Sequence, residues 1–246
     1  MRCSIVRVLL VPILLLCGAA SLQAQKEYNV WYFGDSAGVT FNTPTPSALT
    51  DGRMYAVEGC ASIADHTTGQ LLFYTDGITV LDRTHRPMPN GTNLAGGPST
   101  AQAAHIVPDP IDSSIYYLFS LDDISLIGLS TNRGLAYSVV DMRLNGGLGD
   151  VTQKNVLLAR GTTEQMTAIR HCNGRDVWLI AHLVKRDVFL AFLVSPAGVS
   201  IAAVSSSTGP IHPDNNGGMM VGSPDGTMLG MVYGLTGQVV LFQFVQ

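Results

Sequence analysis

The feature that most constrains the fold is a strand–turn–strand unit that occurs four times. Each unit opens with a polar residue and runs through an apolar stretch to a polar turn seven positions later. The opening segments are Glu58-Gly-Cys-Ala-Ser-Ile-Ala-Asp65, Gln102-Ala-Ala-His-Ile-Val-Pro-Asp109, Glu164-Gln-Met-Thr-Ala-Ile-Arg-His171 and Asn216-Gly-Gly-Met-Met-Val-Gly-Ser223, with starts 44, 62 and 52 residues apart. Repeats of about fifty residues that contain strands are typical of β-propeller blades.

Each unit continues with further apolar segments that are rich in β-branched and aromatic residues, as buried strands are. Second strands are predicted at 70–75, 115–120, 177–182 and 228–233, third strands at 79–82, 134–141, 188–194 and 238–244, and fourth strands at 155–159 and 201–205. Asn173-Gly174 and Asp225-Gly226 predict tight turns. No segment of a dozen residues has a 3.6-residue apolar period, so the sequence predicts an all-β, WD40-like β-propeller.

A hairpin precedes the first unit. Tyr28–Phe33 and Val39–Phe41 are strand-like, and Gly34–Gly38 separates them. In a propeller whose closing blade takes strands from both chain ends, such a hairpin would supply outer strands. The chain stops in the third strand of its fourth unit, so we expect about four blades plus this hairpin, in a ring that is incomplete within 246 residues.

The first 24 residues are typical of an export signal. Arg2 and Arg7 precede an apolar run from Val8 to Leu16, and small residues follow. We predict a signal peptide at 1–24 and a partial β-propeller domain at 25–246, with cleavage after Ala20 as the alternative site. A lipid-modified Cys17 is a competing interpretation, although Leu16 is larger than the residue that usually precedes a lipidated cysteine.

Charge and apolar content narrow the classes of partner. Removal of the signal leaves 12 basic and 18 acidic residues, a formal charge of −6, which disfavours nucleic acid and anionic membranes as partners. No later apolar run is long enough for a transmembrane helix. Two cysteines remain, Cys60 and Cys172, and we expect both to be free thiols that are buried or half-buried, because they lie in units that are not adjacent.

Several longer strings resemble one known family. They are Trp31-Tyr-Phe-Gly34, Glu58-Gly-Cys-Ala61, Leu72-Phe-Tyr-Thr-Asp-Gly-Ile78, Met88-Pro-Asn-Gly91, Tyr137-Ser-Val-Val-Asp-Met142, Leu144-Asn-Gly-Gly-Leu-Gly-Asp-Val151 and Ser223-Pro-Asp-Gly226. Together they resemble the amino-terminal WD40-like propeller domain, related to TolB-type repeats, of large secreted proteins from bacteria with a type IX secretion system. The resemblance implies an exported propeller without assigned catalytic residues, often followed by PKD modules and a sorting domain. We expect neither of those later parts within these 246 residues.

Few residues form a pattern that indicates chemistry. Phe33-Gly-Asp-Ser36 is similar to the nucleophile block of GDSL-type esterases, and Asp82-Arg-Thr-His85 is similar to their histidine motif, but the α/β scaffold of those enzymes is missing. Six scattered histidines lack the paired spacing of zinc sites, and His105 and His182 are expected to be hydrogen-bonded core residues. Asp122-Asp123 is a weak calcium signal beside the interpretation as a solvated loop.

The polar residues that open the four units are the candidate site. If each first strand is innermost, Glu58, Gln102, Glu164 and Asn216 surround one mouth of a central channel. One interpretation is a site for a polar ligand or a calcium ion, without any other cofactor. The alternative is that these side chains hydrogen-bond the backbone of neighbouring blades.

The sequence therefore predicts an exported, non-catalytic binding or structural module with a protein or glycan ligand, located outside the cell or on its outer surface. Two alternatives remain. One is an extracellular, carbohydrate-active hydrolase that uses Glu58 and Glu164 as its carboxylate pair. The other is a periplasmic or lipid-anchored propeller of the cell envelope.

Overall fold

A computed structural model describes residues 26–124, 133–212, 217–234 and 236–246. The predicted signal peptide, Cys17 and Asn216 lie outside these residues. Within them the chain is all-β, as predicted: its strands form five antiparallel sheets, and short 3-10 turns occur at Lys26–Tyr28 and Asn145–Gly147. No helix in these ranges is long and apolar enough to cross a membrane.

The five sheets follow one another along the chain, each built mainly from strands that are consecutive in sequence. Sheet 1 contains β1 (Val30–Phe33), β2 (Ala37–Thr40) and β3 (Ser47–Leu49), and sheet 2 contains β4 (Ala61–Ala64), β5 (Leu71–Thr75) and β6 (Val80–Asp82). Sheet 3 contains β7 (Ala104–Pro108), β8 (Ile115–Leu121), β9 (Leu135–Asp141) and β10 (Asp150–Ala159). Sheet 4 contains β11 (Thr162–Arg170), β12 (Val177–Leu183), β13 (Val188–Ser195), β14 (Gly198–Val199) and β15 (Val204–Ser207). Sheet 5 contains β16 (Met220–Gly222), β17 (Met228–Tyr233) and β18 (Gln238–Gln243).

The first, second and third strands predicted for the four units are found within about four residues of their expected bounds, in sheets 2 to 5. The fourth strand predicted at 155–159 begins earlier, at Asp150, and the one predicted at 201–205 is shifted to Val204–Ser207. The amino-terminal hairpin is also found, and the structure adds β3, which pairs with β2, so that the hairpin becomes a three-stranded sheet. The predicted turns are present as well: Gly174 and Gly226 have φ angles of 73° and 72°, which glycine adopts without strain.

Four apolar cores lie between consecutive sheets, so sheets 2, 3 and 4 are buried on both faces. Neighbouring residues of one strand point in opposite directions. In β5, Phe73 packs in the core shared with sheet 3, and Tyr74 packs in the core shared with sheet 1. In β12, Leu179 and Ile180 divide in the same way between the cores shared with sheets 3 and 5. Burial on both faces explains why the second strands are apolar without alternation.

The first strands of the five sheets lie next to one another in chain order. β1 contacts β4, β4 contacts β7, β7 contacts β11, and β11 contacts β16. This row of first strands positions the repeat-opening residues at one end and the following turns at the other. At each end of this row, polar residues from different sheets therefore lie close together.

Cys60 and Cys172, the two cysteines in the described ranges, are both free, as expected. Cys60 is half-buried beside β1, where its thiol lies 3.5 Å from the carbonyl oxygen of Tyr32. The expectation that both thiols are at least half-buried was wrong for Cys172, which is exposed because it follows the end of β11 in the turn before β12.

Candidate functional site

Gln102 joins three sheets at the opening end of the first strands. Its side-chain oxygen accepts hydrogen bonds from the backbone N–H of Met166 at 3.2 Å and of Met220 at 2.8 Å. Its amide nitrogen donates to the carbonyl oxygen of Met220 at 3.2 Å. The backbone N–H of Gln102 also donates to the carbonyl oxygen of Glu164 at 3.1 Å. The side chain thus links the start of sheet 3 to β11 and β16.

Glu164 is buried next to Gln102 and accepts hydrogen bonds from the backbone of the loops beside sheet 3. One carboxylate oxygen accepts the N–H of Ala101 at 3.1 Å, and the other accepts the N–H of Ile124 at 3.2 Å. Burial raises the pKa of Glu164, and the negative charges of Asp123 and Glu58 raise it further. The charge of this carboxylate is therefore stabilised by peptide N–H groups against desolvation and repulsion.

The structure brings three of the four predicted site residues to one region, and the fourth lies outside the described residues. Glu58 is exposed and accepts a hydrogen bond from the hydroxyl of Ser99 at 2.8 Å. The contacts of Gln102 and Glu164 match the alternative interpretation, in which these side chains satisfy the backbone of neighbouring sheets. Across the described ranges, no group of three His, Cys, Asp or Glu side chains could hold a metal ion. Ligand binding at this end stays a prediction.

The esterase-like motifs lie in two different settings. Ser36 is in the β1–β2 turn, where its hydroxyl donates to the carboxylate of Asp35 at 3.1 Å. His85 lies between Tyr74 and Asp51, with Nδ1 3.0 Å from the Tyr74 hydroxyl and Nε2 3.4 Å from the Asp51 carboxylate. The histidine thus takes part in a polar cluster under sheet 1, and the serine has a neighbouring acid as its hydrogen-bond partner.

The two histidines expected in the core have different surroundings. His182 is fully buried between sheets 4 and 5, and in the described chain neither ring nitrogen has a partner at good hydrogen-bond geometry, contrary to expectation, although the backbone of Leu183 interacts with the ring. Its ring instead packs against Phe189 and His212, with centroid distances of 4.5 and 5.5 Å. His105 lies on β7 at the edge of a cavity, and removal from water lowers its pKa to about 4.

A large open cavity lies at the opposite end of the row of first strands, where these strands run into their turns. Its volume is about 930 Å³, and residues of β4, β7, β11 and β16 contribute to its walls, together with the segment before β1. The polar side chains that line it are Glu27, Tyr28, His66, His105, Asp109, Ser113, Tyr116, Arg170 and Arg175. Concave sites with a few convergent polar groups are the usual location of ligands.

Several of the polar groups in the cavity are not engaged with the rest of the described chain. The side chains of Glu27, Tyr28, Tyr116 and Arg170 form no hydrogen bond or ion pair with other described residues, whereas Arg175 pairs with Asp176 at 2.7 Å. Burial and the charge of Glu27 raise the pKa of Tyr28, and the charge of Arg170 opposes this rise. A cation, an anion and a phenol therefore face the same space.

Tyr116 also lines the cavity, and the pKa of its hydroxyl is raised like that of Tyr28. Tyr116 is buried on β8, and its ring packs edge-on against Phe73 at a centroid distance of 5.5 Å. Burial, followed by the charges of Asp65 and Glu27, raises the pKa of its hydroxyl to about 12. The hydroxyl is therefore a neutral hydrogen-bond donor at physiological pH.

Sequence reasoning did not identify this cavity. The candidate site was chosen from the residues that open the units. The cavity is lined by residues at the opposite ends of the first strands, such as Pro108 and Arg170. The signal was available in part: the same alignment places Asp65, Asp109, His171 and Ser223 at equivalent positions beside the cavity wall. Glu27 and Tyr28 could not have been added, since nothing in the sequence relates them to β11.

Comparisons with known proteins give little further information. No protein-family model matches the chain, and no curated protein matches it. Among solved structures, hydrazine synthase of Kuenenia stuttgartiensis has a TM-score of 0.36 and 10% sequence identity over 85% of this chain. The chain spans 55% of the length of that structure. A similarity at this level carries no argument about fold family or activity.

Proposed function

We propose that this chain is an exported, non-catalytic β-propeller-type module that binds an extracellular ligand. Three features support the propeller architecture: the repeated antiparallel sheet, the four cores between consecutive sheets, and the row of first strands in chain order. The resemblance to propeller domains of secreted proteins supports the same architecture and a location outside the cell or on its outer surface. The periplasm is the alternative location.

The observation that carries the binding function is the cavity of about 930 Å³ shared by four first strands. Arg170 and Glu27 present opposite charges in it, and Tyr28 and Tyr116 present aromatic rings with hydroxyl groups. This combination suits a ligand with paired hydroxyl or amide groups on an apolar frame, as an oligosaccharide or an extended peptide has. No step of covalent chemistry is needed for this role.

The proposal is tested by ligand screening with a matched pair of variants. The purified domain, residues 25–246, would be applied to glycan and peptide arrays, and each hit would be measured by titration calorimetry. Arg170→Ala removes a charge-assisted hydrogen bond, so we expect roughly 10- to 100-fold weaker binding. Arg143→Ala is the control, because Arg143 is an exposed arginine paired with Asp141 outside the cavity.

The outcome distinguishes a binding site in the cavity from a binding site at the opening end of the first strands. Equal loss of affinity in both variants, or no loss in Arg170→Ala, would contradict a cavity site. A ligand that requires Glu58 instead would favour the channel-mouth site. That site also has its own test: if it holds calcium, the combined Glu58→Gln and Glu164→Gln substitutions abolish calcium-dependent stabilisation against heat, and an unchanged response would count against calcium there.

Among the residues that the structure describes, no contact favours the hydrolase alternative. A glycosidase needs two carboxylates that reach the substrate from one cleft. Glu164 is 4% exposed, and both of its oxygens accept backbone N–H groups. We therefore propose a structural role for Glu164, which links sheet 4 to the loops beside sheet 3.

A further inference from the structure

A second, smaller cavity adjoins the large cavity of the proposed function. Its volume is about 300 Å³, and residues of β1, β4 and β7 form its walls. Tyr28, His105 and Ile106 line both cavities, so the two meet along these residues. We call the smaller cavity the side pocket. Because ligand sites have volumes of roughly 300 to 1,000 Å³, the side pocket has room for one bulky group of a larger ligand.

The polar side chains on the walls of the side pocket are already engaged with backbone. The indole N–H of Trp31 donates to the carbonyl oxygen of Tyr28 at 2.7 Å. The Ser62 hydroxyl donates to a carbonyl oxygen of β1 at 2.9 Å and accepts the N–H of Tyr32 at 3.3 Å. The Cys60 thiol lies 3.5 Å from the carbonyl oxygen of Tyr32. What these walls present to a ligand is therefore mainly apolar surface.

The aromatic residues of the side pocket have the same character. The Tyr32 hydroxyl donates to the carboxylate of Asp51 at 2.7 Å and is thus engaged as well. Trp31 and Phe33 are 49% and 43% exposed, so their rings are accessible to a ligand. The Tyr28 hydroxyl, which has no hydrogen-bond partner in the described chain, lies where the side pocket meets the large cavity.

This division of polar groups distinguishes a peptide from a sugar. A sugar ring has hydroxyl groups around it, and a hydroxyl that loses water without gaining a partner costs free energy. An aliphatic or aromatic side chain needs no partner. The side pocket therefore favours an apolar side chain of a peptide. The polar groups of the peptide backbone find donors and acceptors in the large cavity, among them Tyr28, Tyr116 and Arg170.

The charges near the junction of the two cavities indicate which residue accompanies the apolar one. The negative charge of Glu27 raises the pKa of both Tyr28 and Tyr116, and that of Asp65 also raises the pKa of Tyr116. Arg170 opposes the effect at Tyr28. Since Glu27 forms no ion pair in the described chain, a basic side chain of the ligand would be electrostatically complementary to it.

We propose that the large cavity and the side pocket together bind an extended peptide, with a bulky apolar side chain in the side pocket and a neighbouring Lys or Arg facing Glu27. The inference rests on the proposed binding function and specifies the ligand of that site. The apolar side chain contributes burial, and the basic residue contributes charge complementarity.

The first test uses an array of short synthetic peptides and two aromatic variants of residues 25–246. We expect the selected peptides to share an apolar residue next to Lys or Arg, and replacement of that apolar residue by Gly to weaken binding roughly 10- to 100-fold. Trp31→Ala should weaken binding of the original peptide by a similar factor. Tyr55→Ala is the matched control, because Tyr55 is 70% exposed and lies outside both cavities. Circular dichroism establishes that each variant is folded.

The second test needs no substitution, because the chain carries a thiol on the wall of the side pocket and another outside it. Cys60 lines the side pocket, and Cys172 is exposed in the turn before β12. At a peptide concentration of about ten times the dissociation constant, labelling of Cys60 by a small thiol reagent should slow about tenfold. Labelling of Cys172 should continue at its original rate. Mass spectrometry of proteolytic fragments measures both rates.

The outcomes separate this inference from the proposed function. Binding that is lost in Arg170→Ala but unchanged in Trp31→Ala, or hits on a glycan array without peptide hits, overturns the peptide assignment and leaves the cavity function intact. A peptide that binds both variants with wild-type affinity contradicts both proposals. An unchanged labelling rate of Cys60, or equal slowing at Cys60 and Cys172, overturns the side pocket as the binding place, and this result stands even if Trp31→Ala does not fold.

Discussion

At the opening end of the first strands, the side chain of Gln102 connects three sheets by hydrogen bonds. Its amide satisfies two N–H groups and one carbonyl group that belong to β11 and β16. Met220 is the first residue of β16, and Met166 lies in the middle of β11, where the pairing with β12 has an irregularity. The stability of the junction therefore depends on one side chain more than on any single apolar contact nearby.

We predict that Gln102→Leu destabilises the protein by about 2 to 4 kcal/mol, because it leaves two backbone N–H groups unsatisfied at a packed junction. Urea unfolding followed by tryptophan fluorescence measures the change. Gln153→Leu is the control, since Gln153 is an exposed glutamine on β10 without a side-chain hydrogen bond in the described chain, and it should change stability by less than about 0.5 kcal/mol. Equal destabilisation by both substitutions would contradict the bridging role.

The repeat spacing was sufficient to predict that Gln102 and Glu164 occupy corresponding places, and insufficient to predict their partners. Alignment relates positions within units, but the hydrogen bond from Gln102 to Met220 joins residues 118 positions apart. That contact depends on how closely the first strands approach, which is set by side-chain volumes in four separate cores. The same limitation applies to His182, whose burial the sequence predicted and whose lack of a ring partner it did not.

At the level of elements, the strands were predictable because the order of apolar and polar residues along each strand reflects which of its faces are buried. β12 and β13 contain consecutive apolar residues, because both faces of sheet 4 are covered. β18 is also apolar between its two terminal glutamines, yet Val239 and Leu241 on this strand are exposed. A strand's apolar run thus predicts that both faces prefer burial, but whether a neighbour is present depends on the rest of the molecule.

The junction of sheets 4 and 5 contains a buried histidine that should make it sensitive to acid. Desolvation, followed by the charge of the neighbouring His212, lowers the pKa of His182 to about 4, while the backbone of Leu183 and the charge of Asp187 oppose the shift. The folded pKa is below the unfolded value of about 6.5, so the unfolded state binds the proton first as the pH falls. Stability at this site is complete above about pH 6.5 and decreases toward pH 4.

We predict that the His182→Leu variant loses less stability than the wild type between pH 7 and pH 4, by on the order of 2 kcal/mol. Urea unfolding at half-unit pH intervals gives the free energy of unfolding against pH for both proteins. The slope of this curve distinguishes them, even if their stabilities at pH 7 differ. His66→Gln is the control, because His66 is exposed in the turn after β4 and should leave the slope unchanged. Parallel curves for the wild type and His182→Leu would show that the buried ring does not govern the acid response.

At the scale of the whole molecule, function depends on features that no single unit contains. The cavity is formed by the ends of four first strands and by residues before β1, so its polar groups come together only when the sheets stack. The sequence could predict an exported, acidic, all-β chain, whereas the position of the cavity required the complete arrangement of sheets.

Export is the remaining whole-molecule property that a direct measurement can decide. Expression of the full chain in a Gram-negative host should yield a soluble periplasmic protein that begins at Gln25, because Ala24 ends a segment with a basic start and an apolar run. Intact mass spectrometry identifies the first residue, and a start at Ser21 would indicate the alternative site after Ala20. Incorporation of a palmitate analogue that is abolished by Cys17→Ala would instead establish a lipid anchor and place the binding cavity at the membrane surface. Retention of Met1 in the cytoplasmic fraction would contradict export and with it the extracellular role proposed for the module.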